Sequence, residues 1–193
     1  MKTSERQKTR TSLWVIAGLV LAAAITRFVP HPPNFTPLGA MALFAGATLL
    51  DRRLALLVPF AALLVSDFLI GQIQGTGFGF YSTQVFVYTA FAMITLMGRA
   101  LQQHRRSALR IGAMSLAAST LFFLVTNLGV WLASGMYPRT VAGLSSCFMQ
   151  AIPFFGNTVA GDLVYATALF GGLALVESFA AKEGGAPVTE HDA

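Results

Sequence analysis

Six long apolar stretches alternate with short polar segments along the chain. A transmembrane helix needs about 20 predominantly apolar residues, and a chain of consecutive stretches near this length is typical of a multi-pass membrane protein. The pattern predicts an all-α integral membrane protein with spans over 13–29, 35–50, 54–70, 82–97, 111–133 and 154–179. The second span is short, about 24 Å at 1.5 Å per residue.

The polar segments divide the chain into three parts. Residues 1–12 form a basic cytoplasmic N-terminus, 13–180 the six-helix membrane domain, and 181–193 a polar tail that we expect to be disordered and cytoplasmic. Within the domain, 71–79 is a Gly-rich uncharged loop. The segment 134–153 is half-polar and too short for another span, which favours a connection that holds a short interfacial helix.

The lysines and arginines predict the orientation. If the N-terminus is cytoplasmic, eleven of the thirteen Lys and Arg residues lie on the inner side, and only Arg27 and Arg139 lie outside. Basic residues accumulate on the cytoplasmic side of membrane proteins, so both termini are expected inside. An arginine lies where a signal peptide would be cleaved, so we interpret the first stretch as a retained helix in the bacterial cytoplasmic (inner) membrane.

The composition agrees with a membrane protein and excludes several other classes. The chain is 55% hydrophobic and only 11% charged, whereas average soluble domains carry about 25% charged residues. The net charge of +5 comes from residues at the ends of apolar stretches and not from a basic patch, so it does not indicate nucleic-acid binding. A single cysteine excludes an internal disulfide and a paired-cysteine metal site.

Polar residues interrupt the apolar stretches mainly in their outer halves. Asp67 lies in the run LLVSDFLIG, where an ionised carboxylate in lipid costs roughly 2.5–3.5 kcal/mol. Such residues usually face a bundle interior or a cavity and are functional candidates. The candidate binding residues are Arg27, Asn34, Asp67, Gln84, Tyr88, Asn127, Trp131, Asn157 and Asp162. The aromatic rings would stack on a planar ligand, and the amides and carboxylates would orient it.

A purely structural interpretation of the same residues remains open. Arg27 and Asp67 would then form an ion pair, while Asn127 and Asn157 would hydrogen-bond between helices. Gly161, one turn after Asn157, would let a neighbouring chain segment or a ligand approach closely. The alternative function is therefore a non-transporting membrane scaffold or interaction protein, although structural contacts alone have no reason to prefer one leaflet.

Enzyme and metal motifs are absent from the sequence. It has no HExxH, no GxSxG and no Walker A motif, so we predict that the protein is not an enzyme and uses no cofactor. The least favoured alternative is a membrane enzyme with Asp67 and Asp162 as an acid/base pair. His31 and Cys147 both lie on the predicted outer side and are weak metal candidates, but we predict no metal site.

Three stretches carry a resemblance to a known transporter class. The overall organisation resembles the S component, the substrate-binding subunit of energy-coupling-factor vitamin transporters. The shared features are six short helices, both termini inside, an Ala/Gly-rich first helix and a polar pocket near the outside. The stretches RFVPHPPNFTPLGAMALFAGA (27–47), SDFLIG and FFGNTVAGDL resemble a family of uncharacterised bacterial six-helix membrane proteins associated with the same superfamily.

The resemblance implies a subunit that captures a vitamin or a similar small molecule outside the cell. Such a subunit topples in the membrane on a transmembrane coupling subunit driven by two ATPases. The small residues Ala17, Gly18 and Ala22 of the first helix would be the coupling surface. No pocket signature for biotin, thiamine, riboflavin, folate or cobalamin matches the sequence, so the ligand stays open.

Overall fold

The computed structural model describes residues 2–73 and 82–183, with side chains for 13–73 and 82–182. All regular structure in these ranges is helical. The helices are α1 (Lys2–Ile25), α2 (Leu38–Thr48), α3 (Arg52–Ile73), α4 (Gln84–Gly98), α5 (Ala108–Ala133) and α6 (Val141–Glu183). Short 3-10 turns, Thr26–Phe28 and Arg99–Leu101, continue α1 and α4.

Four helical segments among the described residues are long and apolar enough to cross a membrane: Arg52–Ile73, Gln84–Leu101, Ala108–Ala133 and Val141–Lys182. Their outer faces carry large apolar side chains such as Leu57, Leu116 and Val164, as expected for helices in contact with lipid. The protein is therefore a helical multi-pass membrane protein. Two further apolar helices, Leu13–Phe28 and Leu38–Thr48, are shorter than these four segments. The presence of six membrane spans therefore stays a prediction.

Helix α2 occupies the centre of the bundle. Ten of its eleven residues are buried, and it contacts each of the other five helices. Its sequence is apolar on all sides, which is typical of a helix surrounded by protein. Phe44 packs edge-on against Phe170 of α6, with ring centroids 5.1 Å apart. The predicted span over 35–50 is shortened here to about 16 Å, because Pro37 lies at the N-cap and the Pro-rich segment before it is not helical.

Two glycines bring α2 and α4 into backbone contact. A Cβ atom on Gly46 would overlap the carbonyl oxygen of Thr95, and one on Gly98 would overlap that of Leu43. Small residues at such crossings let helices pack closely when no hydrophobic force between helices drives their association. The small residues of α2 are therefore internal packing positions.

Helix α6 corrects the prediction for 134–153. We expected a separate short interfacial helix, which is wrong: a single helix of 43 residues, about 65 Å long, begins at Val141 and continues through Pro153. The Thr140 hydroxyl caps it by accepting from the Gly143 N–H, at 3.1 Å. Gly143 and Cys147 are buried one turn apart, so one face of this segment packs against the rest of the bundle.

Helices extend into both predicted terminal segments. Helix α1 begins at Lys2, so the predicted basic segment 1–12 continues directly into the first apolar stretch. Helix α6 ends at Glu183, so the first residues of the predicted tail are helical, and 184–193 lie outside the described residues. Helix α3 extends to Ile73, and 74–81 of the predicted Gly-rich connection also lie outside them.

The basic connections meet at one end of the bundle. The Arg99 guanidinium donates to the carbonyl of Leu50 at 3.3 Å, which joins the end of α4 to the α2–α3 turn. Arg105 and Arg106 pair with Glu177 near the end of α6, at 2.8 and 2.6 Å. This grouping agrees with the alternation predicted from Lys and Arg, while which end is cytoplasmic stays a prediction.

Candidate functional site

Four of the nine candidate binding residues meet at the opposite end of the bundle. Arg27 Nη2 lies 2.6 Å from Asp67 Oδ1. Gln84 Nε2 donates to Asp67 Oδ2 at 3.0 Å, and the Tyr88 hydroxyl donates to the same oxygen at 3.3 Å. Arg27 Nη1 also donates to the hydroxyl of Ser66. These five residues are called the Arg27 cluster below.

Two helices and one turn position this cluster. Arg27 lies in the 3-10 turn that ends α1, and Ser66 and Asp67 lie on α3. Gln84 and Tyr88 are four residues apart on α4, so both side chains project from the same face. Ser66 was missed in the sequence analysis because an isolated serine beside Asp67 has no signal of its own. Its hydroxyl donates back to the Leu63 carbonyl, at 2.9 Å, and thus presents an oxygen to Arg27.

The cluster explains how a charge is tolerated in the LLVSDFLIG run. Both carboxylate oxygens of Asp67 accept hydrogen bonds, and the guanidinium supplies the compensating charge. The ion pair is partly accessible to solvent, because the side chains of Arg27 and Asp67 are 13% and 18% exposed. A guanidinium has five N–H donors, and the contacts with Ser66 and Asp67 leave others for a carbonyl or carboxylate ligand. The Tyr88 ring, 6.0 Å from that of Phe60, adds an aromatic surface.

Asp162 lies in a second, deeper place. It is only 2% exposed, and its Oδ1 accepts a hydrogen bond from the backbone N–H of Ala40 at 3.0 Å. Its Oδ2 lies 2.6 Å from the Ser119 hydroxyl of α5. Pro37, at the N-cap of α2, makes no side-chain capping bond, so Asp162 supplies the cap from another helix.

Asn157 and Asn34 belong to the connection before α2. Asn157 Nδ2 donates to the carbonyl of Pro33 at 2.9 Å, while Asn34 is exposed and has a positive φ of 63°. One turn further along α6, a Cβ on Gly161 would lie 3.1 Å from the backbone N of Thr36. The predicted close approach at Gly161 is thus a contact with this connection.

Asn127 and Trp131 lie in a third place, where α5 turns into α6. The Asn127 amide donates to the carbonyl of Phe123 in its own helix, at 2.8 Å. Trp131 Nε1 donates to the carbonyl of Pro138, at 3.0 Å, and closes the turn. The structure therefore brings four predicted residues together and distributes the other five over the start of α2, the connection before it and the α5–α6 turn. Asp67 and Asp162 have separate sets of partners and form no joint acid/base constellation.

The weak metal candidates have their own protein contacts. His31 Nδ1 lies 3.0 Å from the carbonyl oxygen of Pro32. The buried thiol of Cys147 donates to the backbone carbonyl of Asn127, at 3.4 Å. Within 2–73 and 82–183, no group of three or more His, Cys, Asp or Glu residues could hold a metal ion.

The predicted coupling residues lie on the outside of α1. Gly18 and Ala22 are exposed and Ala17 is half-buried. A Cβ on Gly18 would meet no other atom within 4 Å, in contrast to the glycines of the α2–α4 contact. This stripe is therefore free to face lipid or another helix.

A protein family matches most of the chain. The chain matches no curated protein and no solved structure. Residues 7–183 match a family whose description is "Family of unknown function (DUF6580)". The match includes the Arg27 cluster, Asp162 and all six helices, although it assigns them no activity. The chain belongs to this family of unknown function, DUF6580.

Proposed function

We propose that the chain is the substrate-binding membrane subunit of an uptake system for a vitamin or a similar small molecule in the bacterial inner membrane. The supporting observation is the Arg27 cluster, where groups from two helices and a turn converge at the end opposite the basic connections. A partly exposed ion pair with spare donors is typical of a site that can exchange protein contacts for ligand contacts.

In this proposal the cluster recognises a polar ring system. Arg27 donates to a ligand carbonyl or carboxylate, and Asp67 accepts from a ligand N–H or O–H. The amide of Gln84 can donate or accept a hydrogen bond. The Tyr88 ring stacks on the planar part of the ligand. Asn157, Asp162 and Trp131 act as positioning residues, since their hydrogen bonds hold the connection before α2, the start of α2 and the α5–α6 turn. Asn34 lies in the same connection, and Asn127 donates within α5.

Energy for uptake comes, in this proposal, from a membrane coupling subunit with partner ATPases. The exposed stripe of Ala17, Gly18 and Ala22 supports a docking face on α1, because small residues allow another helix to approach closely. The same helix ends in the turn that carries Arg27, so movement of α1 is linked mechanically to the ligand site.

Ligand-dependent thermal stability tests the binding function. The purified protein in detergent is heated with biotin, thiamine, riboflavin, folate or cobalamin, and with pools of related small molecules. A bound ligand raises Tm in a concentration-dependent way, because it binds only the folded state. Asp67→Asn should abolish this response. Thr167→Ala, on an exposed face of α6, should keep it. A response that survives Asp67→Asn contradicts the assigned site.

A non-transporting scaffold is the second candidate. It is favoured by the hydrogen bonds of Asp162, Asn157 and Asn127, all of which are made within the protein. Under this function no small molecule raises Tm, and Asp67→Asn lowers stability through the loss of the Arg27 pair alone. The two functions therefore predict opposite results in the same experiment.

A further inference from the structure

Among the side chains that the structure describes, none of those in contact with Asp162 carries a positive charge. Helix α2 has no ionisable residue, and neither has α5 from 112 to 133. The connection before α2 contributes only His31, which faces the Pro32 carbonyl. On α6 the nearest titratable groups are Tyr165 and Cys147, and the charges of the Arg27 cluster pair with each other. An ionised carboxylate without a partner is unfavourable in such an interior.

The two contacts of the Ser119 hydroxyl bear on the protonation state of Asp162. Ser119 Oγ lies 2.6 Å from Asp162 Oδ2 and 3.0 Å from the backbone carbonyl oxygen of Ser115. A hydroxyl has one proton, and a carbonyl oxygen only accepts. Ser119 can therefore complete both hydrogen bonds only if it donates to Ser115 and accepts from the carboxyl group of Asp162.

We propose that Asp162 is a proton-binding site, held as a neutral carboxylic acid at mildly acidic pH. Its Oδ2–H donates to Ser119 Oγ, which donates to the Ser115 carbonyl, while Oδ1 accepts from the Ala40 N–H. The proton thus joins α5 and α6 at the point where α6 caps α2. This inference goes beyond the proposed uptake function and does not depend on it.

The site can also accommodate the ionised form. When the proton leaves to water, the Ser119 hydroxyl rotates from the Ser115 carbonyl to the carboxylate. The negative charge then lies at the N-terminus of α2, where the helix dipole favours an anion. The Ser115 hydroxyl, one turn before Ser119, is buried without a hydrogen-bond partner in the described part of the chain, and it offers a further donor nearby. Proton binding is therefore linked to the position of α2.

Infrared spectroscopy of the full-length protein in detergent tests the protonation state. At pH 5 the wild type should show the carbonyl stretch of a protonated carboxylic acid, and Asp162→Asn should lack it. Glu177→Gln, which alters a carboxylate paired with Arg105 and Arg106, should leave the band unchanged. Absence of the band in the wild type, or its persistence in Asp162→Asn, overturns the proposal.

A second variant keeps the test independent of how well Asp162→Asn folds. Ser119→Ala removes the acceptor of the Asp162 proton and should shift the band to the position of a more weakly hydrogen-bonded acid. An unchanged band in Ser119→Ala contradicts the assigned hydrogen bond.

The pH dependence of stability provides a second measurement. An aspartate in the unfolded chain loses its proton near pH 4. Above that pH only the folded state holds the proton. The ratio of folded to unfolded protein therefore falls by about tenfold for each unit that the pH rises, as long as Asp162 stays protonated in the folded state. Asp162→Asn should lack this decline, and equal pH slopes for wild type and variant overturn the proposal.

Discussion

The backbone N–H of Ala40 donates to the carboxyl group of Asp162 at 3.0 Å, although 122 positions separate the two residues in sequence. Helix α2 begins after a proline that makes no side-chain cap. Its first N–H groups are buried in the bundle, where no water can satisfy them. A side chain from the middle of α6 thus caps the start of α2. The central helix therefore depends on a helix that is far away in the sequence.

Substitutions at Asp162 should separate hydrogen bonding from charge. Asp162→Ala leaves the buried Ala40 N–H without its acceptor and removes the contact with Ser119, so it should destabilise the protein by about 3 kcal/mol. Asp162→Asn keeps a carbonyl for Ala40 and an N–H for Ser119, so it should cost less than about 1 kcal/mol. Denaturant unfolding in detergent measures both values. Equal losses for Asn and Ala would contradict a neutral acid at this position.

The α2–α4 contact should tolerate no side chain at Gly46. Gly46→Val places a branched side chain on the Thr95 carbonyl and should destabilise the protein by about 3 kcal/mol or prevent its folding. Gly112→Ala is the matched control, because a Cβ there meets no atom within 4 Å, and it should stabilise by about 0.5–1 kcal/mol through helix propensity. Thermal unfolding checks the pair, and similar effects of both variants would disprove the close crossing.

The Arg27–Asp67 pair should show energetic coupling. Asp67→Asn and Arg27→Gln should each cost about 1–3 kcal/mol, because each removes a charged hydrogen bond in a mostly buried place. A double-mutant cycle should give an interaction energy above about 0.5 kcal/mol, since the two side chains are in direct contact. Strict additivity of the two losses would mean that the ion pair contributes nothing to stability.

The single cysteine should report on the first turns of α6. The thiol of Cys147 is 2% exposed and faces α5, so a maleimide should label it only when this region opens. The matched control is Cys147→Ser with Ser146→Cys, which moves the thiol to the exposed neighbouring position. The control should react rapidly in the folded protein. Rapid labelling of Cys147 itself would argue against the packed helix over 141–153.

The exposed stripe on α1 should matter for uptake but not for folding. Gly18→Phe fills an open surface position, so Tm and ligand-induced stabilisation in detergent should stay at wild-type values. If the stripe is the coupling surface, uptake of the bound ligand into cells should fall strongly. Leu116→Phe, on the exposed face of α5, should leave uptake unchanged. Normal uptake by Gly18→Phe would exclude this stripe as the coupling surface.

The local features of the fold could be predicted from the sequence. Each apolar stretch overlaps a helix, and the basic connections at 51–53 and 99–110 meet near the end of α6. The pairing of Arg27 with Asp67, weighed as the structural alternative, is confirmed as a contact. The extent of the helices was less predictable, since α6 continues through Pro153 and α2 is only a buried half-length helix.

The sequence by itself determined that this chain is helical and enters a membrane, because both properties follow from the local density of apolar residues and of charge. Only the tertiary structure decided which polar groups meet: Asp67 with Arg27, Gln84 and Tyr88, and Asp162 with Ala40 and Ser119. These choices depend on helix rotation, depth and crossing, which are set by packing between distant segments such as the glycine contact of α2 with α4. A buried polar group must find its partner inside the protein, and the folded arrangement of all six helices supplies it.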